Sequence, residues 1–127
     1  MREKKGKRFD GVIKGSVNTY FEYKTSKFVF PNESGRPCVK IFYDDHWKLL
    51  QTIRYTENHS KHIYVMKNNR FEGYSEYIAI EIDLENFSKA NEIEKDRLIF
   101  YLDNPCIKSL EEYLKENYKS CNETNPL

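Results

Sequence analysis

The chain has 127 residues and a formal net charge of +1 at pH 7, and 39% of its residues are hydrophobic and 15% aromatic. This length favours a single domain, because two cores in so short a chain would each approach the lower limit of independent folding. The composition argues against a membrane-spanning helix, because the longest purely apolar run, residues 98–102, is far shorter than the roughly 20 residues that cross a bilayer.

The N-terminus and the cysteines predict a cytoplasmic protein with no membrane association. No apolar stretch of signal-peptide length follows the basic N-terminus. Cys38, Cys106 and Cys121 are odd in number and widely spaced, so they are a poor disulfide framework and are expected to be reduced thiols. The frequent Lys, Asn, Ile, Tyr and Phe are typical of AT-rich genomes and favour a phage or another mobile element as the source.

The first eight residues predict a flexible basic arm, residues 1–8, because they have no apolar side chain after Met1 and cannot bury enough surface to order themselves. The basic residues of the arm are Arg2, Lys4, Lys5, Lys7 and Arg8. A single α+β domain is predicted over residues 9–119, and a disordered tail over residues 120–127.

Residues 17–43 predict three strands. Apolar and polar side chains alternate over residues 17–30, which favours two strands joined by a hairpin near Thr25 and Ser26. This hairpin would bring Phe28 and Phe30 back beside the first strand. Residues 31–37 are rich in turn formers, and residues 38–43 alternate again as a third strand.

Asp44 or Asp45 is expected to cap a short helix in which Trp47, Leu50 and Ile53 share one face. Residues 62–67 and 76–84 then predict a second hairpin. In its second strand four apolar residues alternate with polar ones, so one face of that strand is expected to be wet or to line a site.

The C-terminal part predicts helices. A helix is expected from about residue 88 to Leu102, although residues 98–102 alone also suit a buried strand. Pro105 ends this segment, and Ser109 begins the clearest helix, with the spacing of a capping box. The predicted fold class is therefore α+β: a small antiparallel β-sheet of about five strands in hairpins, packed by one or two C-terminal α-helices, with a short helix after Asp44.

The charge is unevenly distributed along the chain. The net charge is +5 over residues 1–30, +2 over residues 31–75 and −6 over residues 76–127. Such a gradient predicts two surface poles that steer partners of opposite sign.

Four carboxylates offer a hypothesis of metal-dependent nuclease or hydrolase chemistry. Glu81 and Asp83 would project from one strand face, and Asp44 and Asp45 follow another strand, so together they suit a divalent cation that activates water. A solvated sheet face is the alternative explanation. The segment Asp44-Asp45-His46-Trp47-Lys48-Leu49-Leu50 resembles a stretch of some phage homing endonucleases, but the HNH core of those nucleases has no match elsewhere in the chain, so no catalytic residue is carried over.

No other catalytic motif is present. His59 and His62 are spaced for a shared zinc only if they lie on one helical turn, and the sequence favours a loop there. A cysteine nucleophile would need a His and an acid brought together by the fold. Glycine-rich phosphate loops and the Gly-x-Ser-x-Gly pattern are missing. We therefore predict no metal ion and no cofactor.

The leading hypothesis is a small, non-enzymatic binding module that regulates or inhibits a macromolecular partner. A protein partner is favoured over a nucleic acid. The main alternative is a nucleic-acid-binding protein, since basic residues and aromatic faces hold single strands. The expected contacts are the basic residues of the arm together with Tyr20, Tyr23, Tyr77, Glu81 and Asp83.

Overall fold

The computed structural model describes residues 8–124, with side chains described for residues 8–117. Within this part the chain forms nine strands and three α-helices. The strands are β1 Gly11–Ile13, β2 Thr19–Lys24, β3 Val29–Pro31, β4 Pro37–Phe42, β5 Lys61–Lys67, β6 Tyr77–Glu81, β7 Glu92–Glu94, β8 Arg97–Tyr101 and β9 Ile107–Ser109. The helices are α1 Tyr43–Ile53, α2 Asn86–Lys89 and α3 Leu110–Thr124.

The strands form two sheets. The first sheet has the order β1-β2-β5-β6-β9 and the second sheet has the order β3-β4-β8-β7. All neighbouring strands are antiparallel except β2 and β5, which are parallel. The predicted α+β class is confirmed, but the strands are divided between two sheets instead of forming one sheet of about five.

The hairpin predicted near Thr25 and Ser26 is wrong. A 3₁₀ turn at Ser26–Phe28 carries the chain out of the first sheet, and β3 pairs with β4 in the second sheet. Phe28 packs edge-on against Phe42 of β4, with ring centroids 6.0 Å apart. Alternating residues predict a strand, but they do not specify the neighbouring strand with which it pairs. Here the chain passes from the first sheet to the second, where Phe28 packs.

The long helix predicted from residue 88 to Leu102 is also wrong. Helix α2 spans only Asn86–Lys89, and the following residues form the antiparallel pair β7 and β8. Leu98, Ile99 and Phe100 are all buried because β8 is a central strand. Strands that are buried on both faces carry continuous apolar runs, so the alternative of a buried strand at residues 98–102 is the correct one.

Two apolar cores hold the layers together. The first core lies between the sheets and joins Val39 and Phe100 of the second sheet to Met66 and Ile80 of the first, with Leu49 of α1. Burial of such side chains contributes about 1.5–3 kcal/mol each.

The second core lies on the other side of the first sheet, where Ile63 and Val65 of β5 and Ala79 of β6 pack against Tyr113 of α3. The face of β6 that was expected to be wet is therefore covered at Ala79 by α3.

A short helix at Asp44, the hairpin of β5 and β6 and the C-terminal helix are confirmed. The expected cap at Asp44 or Asp45 is wrong, because α1 begins at Tyr43 after Phe42 and both aspartates lie inside its first turn. Helix α1 buries His46 and Leu49, whereas Trp47, expected on its buried face, is 48% exposed. The Ser109 hydroxyl accepts a 2.9 Å hydrogen bond from the Glu112 N–H, as the capping box requires.

Helix α3 continues to Thr124, into the segment 120–127 that was expected to be disordered. In the part of the chain that the structure describes, no helix has the length and apolar character to cross a membrane.

Candidate functional site

The second sheet has one face that belongs to neither core. Val29, Val39 and Phe100 point into the first core, so the residues that alternate with them point the opposite way. We call this side the outer face. Across the four strands its rows are Phe30, Cys38 and Tyr101; Glu92, Ile99 and Lys40; and Glu94, Arg97 and Phe42.

Large side chains on the outer face cover the small ones. Cys38 is fully buried and Ile99 is 1% exposed, although neither belongs to a core. Their larger neighbours Phe30, Phe42 and Tyr101 are partly exposed. Among the residues whose side chains are described, the outer face therefore presents partly exposed aromatic rings and packs in neither apolar core.

Cations lie over these rings. Lys40 Nζ lies 5.4 Å from the ring centroid of Phe30 and 5.5 Å from that of Phe42. The Arg97 guanidinium lies 4.9 Å from the Phe42 centroid, and the Arg36 guanidinium lies 4.0 Å from the Tyr101 centroid. Each distance is within the roughly 6 Å of a cation–π contact, so cationic and aromatic groups alternate over the face.

The three cations that lie over the rings differ in their carboxylate partners. Arg36 binds both carboxylate oxygens of Asp103, at 3.0 and 3.3 Å. Arg97 binds Asp96 at 2.9 Å, and this hydrogen bond lowers the pKa of Asp96. Lys40 has no carboxylate within ion-pair distance among residues 8–117.

The opposite edge of the outer face is acidic. Glu92 and Glu94 lie on β7, and Glu92 accepts a 2.6 Å hydrogen bond from the Tyr101 hydroxyl. This bond raises the pKa of Tyr101, with burial adding to the effect. The β3 and β4 side of the face therefore attracts anions, and the β7 side repels them.

A buried ionic cluster lies beneath the edge of this face. Glu22 is 3% exposed and Lys24 is 6% exposed. Lys24 Nζ lies 3.0 Å from Asp45 Oδ2 and 3.7 Å from Glu22 Oε2. It also lies 5.0 Å from the centroid of Phe28. The cluster thus connects β2 to α1 and supports the ring that packs on Phe42.

Tyr64 and His46 continue this polar interior. The Tyr64 hydroxyl and His46 Nδ1 are 2.8 Å apart. Burial raises the pKa of Tyr64 well above its usual value, and the charges of Asp45 and Glu22 act in the same direction. Burial lowers the pKa of His46, against the opposing effect of Asp83. Both groups are therefore neutral at pH 7, and they have no direct route to solvent because both are fully buried.

His62 and Tyr20 form a separate cluster near the start of β2. Their rings are stacked with centroids 5.6 Å apart, and the Tyr20 hydroxyl donates to Glu57. His62 Nε2 lies 2.8 Å from Thr56 Oγ1 and 3.3 Å from Ser60 Oγ.

Each hydroxyl near His62 also lies 2.8 Å from a backbone carbonyl, Thr56 Oγ1 from that of Ile53 and Ser60 Oγ from that of Glu57. The tautomer of His62 sets the direction of its own bonds to these hydroxyls. A backbone carbonyl therefore competes with His62 for each hydroxyl proton.

The four carboxylates of the nuclease hypothesis are not brought together. Asp45 pairs with Lys24 on the side of the first sheet that faces the first core. Glu81 accepts a 3.0 Å hydrogen bond from the Tyr113 hydroxyl, on the side that α3 covers. Asp44 is exposed in the first turn of α1, and Asp83 lies 3.8 Å from Lys89 in the turn after β6.

Metal-ligating side chains do not cluster in the described part of the chain. There, no three or more His, Cys, Asp or Glu residues are arranged to hold a metal ion. His59 is exposed with φ of 68°, whereas His62 is committed to its contacts with Thr56 and Ser60. Cys38 is buried and Cys106 is partly buried.

The remaining predicted contact residues are dispersed. Tyr23 and Tyr77 are each 38% exposed, and Lys67 Nζ lies 5.2 Å from the Tyr77 centroid. Arg8 is exposed. The other basic residues of the arm, Arg2, Lys4, Lys5 and Lys7, lie outside the described residues.

Sequence reasoning missed most of the outer face. Lys40 and Phe42 were placed on the third predicted strand, residues 38–43, and given no role. Arg97 and Tyr101 were assigned to a helix. The signal that was available is the alternation in β8, where Arg97, Ile99 and Tyr101 share one face of a strand.

Neither a family model nor a curated protein nor a solved structure matches this chain.

Proposed function

We propose that the protein binds nucleic acid on the outer face of the second sheet. The observation that carries this proposal is the position of Lys40, between the rings of Phe30 and Phe42 on a sheet face that belongs to neither apolar core of the described residues. Basic groups that follow a phosphate backbone, together with aromatic faces that stack on bases, are the two elements of such sites.

The charge of the face supports the same function. Lys40, Arg36 and Arg97 supply positive charge, and the guanidinium groups of Arg36 and Arg97 lie 4.0 and 4.9 Å from the ring centroids of Tyr101 and Phe42. Phosphate contacts supply most of the affinity of non-specific binding. Arg36 exchanges its surface ion pair with Asp103 for a phosphate contact, and such an exposed pair contributes only about 0.2–1 kcal/mol.

The test is binding of a fluorescent single-stranded oligonucleotide, measured by anisotropy over a series of salt concentrations. Lys40→Gln should weaken binding and reduce the slope of log K against log salt by about 0.7, because one phosphate contact on a single strand is lost. Lys48→Gln is the matched control, since Lys48 is exposed on α1. An equal loss of oligonucleotide affinity in the two variants, or no binding by the unaltered protein, would overturn the proposal.

Protein binding is a second candidate, and an exposed apolar region favours it. Trp47 is 48% exposed and packs on Phe87 with ring centroids 5.4 Å apart, and Leu84 is 65% exposed in the turn before α2. Exposed large apolar groups are typical of interfaces. If this region binds a regulated protein, Trp47→Ser should abolish its capture from a lysate of the native host while oligonucleotide affinity stays unchanged.

A further inference from the structure

We infer that the nucleic acid is single-stranded, and that Phe30, Lys40 and Phe42 form one subsite for two bases and the phosphate between them. This inference rests on the proposed function and adds the class of ligand. It comes from the order ring, ammonium, ring across β3 and β4 on the outer face, with Phe30 on β3 and Lys40 and Phe42 on β4.

The rings of Phe30 and Phe42 are separate stacking surfaces. Phe30 pairs with Cys38, four residues from Phe42 along β4, which corresponds to about 13 Å between the backbone positions of Cys38 and Phe42 at the rise of a strand. Lys40 Nζ lies 5.4 Å from one ring centroid and 5.5 Å from the other, and the ring that packs against Phe42 is that of Phe28, not that of Phe30. Bases of B-DNA follow one another at about 3.4 Å along each strand. We expect two bases that lie on these two separate rings to be unstacked from each other.

Only a single strand has bases available for this arrangement. In a duplex each base is paired and covered above and below by its neighbours, so a ring on a sheet face reaches only groove edges and phosphates. A flexible single strand can turn each base onto a ring, while Lys40 holds the connecting phosphate. Apart from Glu92 and Glu94 on β7, the described rows of the outer face carry no amide or carboxylate side chain, so stacking would tolerate many sequences.

The contacts that the ligand displaces are weak. An exposed cation–π contact corresponds to about 2- to 5-fold in affinity, whereas a base stacked on an aromatic ring corresponds to roughly 5- to 150-fold. Moving Lys40 Nζ from the two ring faces to a phosphate therefore favours the bound state. Arg97 remains on Phe42 from the neighbouring strand and can hold the ring in place.

The acidic strand β7 sets the path of the backbone. Glu92 and Glu94 share the outer face with Lys40 and Phe42, respectively, in the same cross-strand rows. A phosphate near β7 would meet these carboxylates, so the backbone should follow β3 and β4 instead. Glu94→Gln is then expected to raise single-strand affinity about 2-fold at low salt, in the range of one exposed charge interaction.

The experiment compares three fluorescent probes: a short oligothymidine, the same strand with central abasic sites, and a duplex of the same length. The unaltered protein should prefer the oligothymidine to both. Phe30→Leu and Phe42→Leu should each weaken oligothymidine binding roughly 5- to 150-fold. Neither variant should further weaken binding of the abasic strand, because its missing bases cannot stack. Tyr55→Leu, an exposed ring on another surface, should bind like the unaltered protein.

The outcomes separate this inference from the proposed function. If the duplex and the abasic strand bind as tightly as the oligothymidine, the inference is overturned while nucleic-acid binding stands. Folded ring variants that bind oligothymidine as tightly as Tyr55→Leu does would overturn the inference in the same way. If a ring variant does not fold, the abasic strand still tests stacking on the unaltered protein. If none of the probes binds, the proposed function fails and the inference fails with it.

Discussion

Lys24 is a charged side chain in an interior position, with 6% of its surface exposed. Two carboxylates, Glu22 and Asp45, lie within 3.7 Å of its ammonium group. Removing charges from water costs free energy, and a buried pair regains that cost only when its geometry is good. The ammonium is therefore needed less for net stability than as a counter-ion for the buried Glu22 carboxylate and the partly exposed Asp45 carboxylate.

Lys24→Met should lower the free energy of unfolding by about 3 kcal/mol. Removal of one partner of a buried ion pair costs about 3–5 kcal/mol, and the lower end applies here because Asp45 is 30% exposed. Urea unfolding followed by Trp47 fluorescence measures this change. Lys27→Met, at an exposed position in the adjacent 3₁₀ turn, should stay within about 0.5 kcal/mol of the unaltered protein. Equal stability of the two variants would show that Glu22 and Asp45 do not depend on the Lys24 charge.

The loop between β5 and β6 is organised by a single amide side chain. Asn68 is 4% exposed, and its Oδ1 accepts hydrogen bonds from the N–H groups of Arg70 and Phe71 at 3.2 and 3.0 Å. Its Nδ2 group donates to the carbonyl of Phe71 at 2.9 Å and lies within 3.4 Å of those of Tyr74 and Ser75. The side chain therefore takes the place of strand hydrogen bonds where the hairpin opens into a loop.

Asn68→Ala should destabilise the protein by about 1–3 kcal/mol, because backbone groups that face Asn68 would be left buried and unpaired. Hydrogen exchange measures the effect locally: the amide of Phe71 should exchange roughly 5- to 150-fold faster, since each 1.4 kcal/mol corresponds to a factor of ten. Asn69→Ala changes the exposed neighbour and should leave that amide protected. Unchanged protection in Asn68→Ala would mean that the backbone alone holds this loop.

At the scale of elements, local patterns predicted some parts of the fold and not others. The hairpin of β5 and β6 and the helix α3 were predictable, because a clear alternation and a capping box are both local signals. Strand β8 was assigned to a helix, because a continuous apolar run fits either a buried strand or a buried helix.

The candidate site depended on the parts that sequence could not specify. The sequence predicted that Lys40 and Phe42 lie on one strand. Arg97 reaches Phe42, however, only because β8 pairs with β4. Phe30 joins the same face only because the chain changes sheets after β2. Strand pairing between distant segments is decided by the packing of the whole core, which no local pattern contains.

At the scale of the whole molecule, the fold determines where the charges of the sequence gradient lie. Ion pairs such as Arg36–Asp103 join the basic and acidic parts of the sequence, so a portion of the gradient is neutralised within the fold. Lys40 keeps its charge available on the outer face, whereas Glu92 and Glu94 of β7 limit the positive area to one side. The anion-attracting half of the outer face therefore lies on β3 and β4, and the acidic half lies on β7.

The most direct test of this account is a map of backbone amide chemical shifts while the ¹⁵N-labelled protein is titrated with oligothymidine. The account predicts that the largest changes fall in β3, β4 and β8, centred on Phe30, Lys40 and Phe42, and that they diminish as salt is added. Changes centred instead on α3 or around Trp47, or a spectrum that the oligonucleotide leaves unaltered, would contradict it.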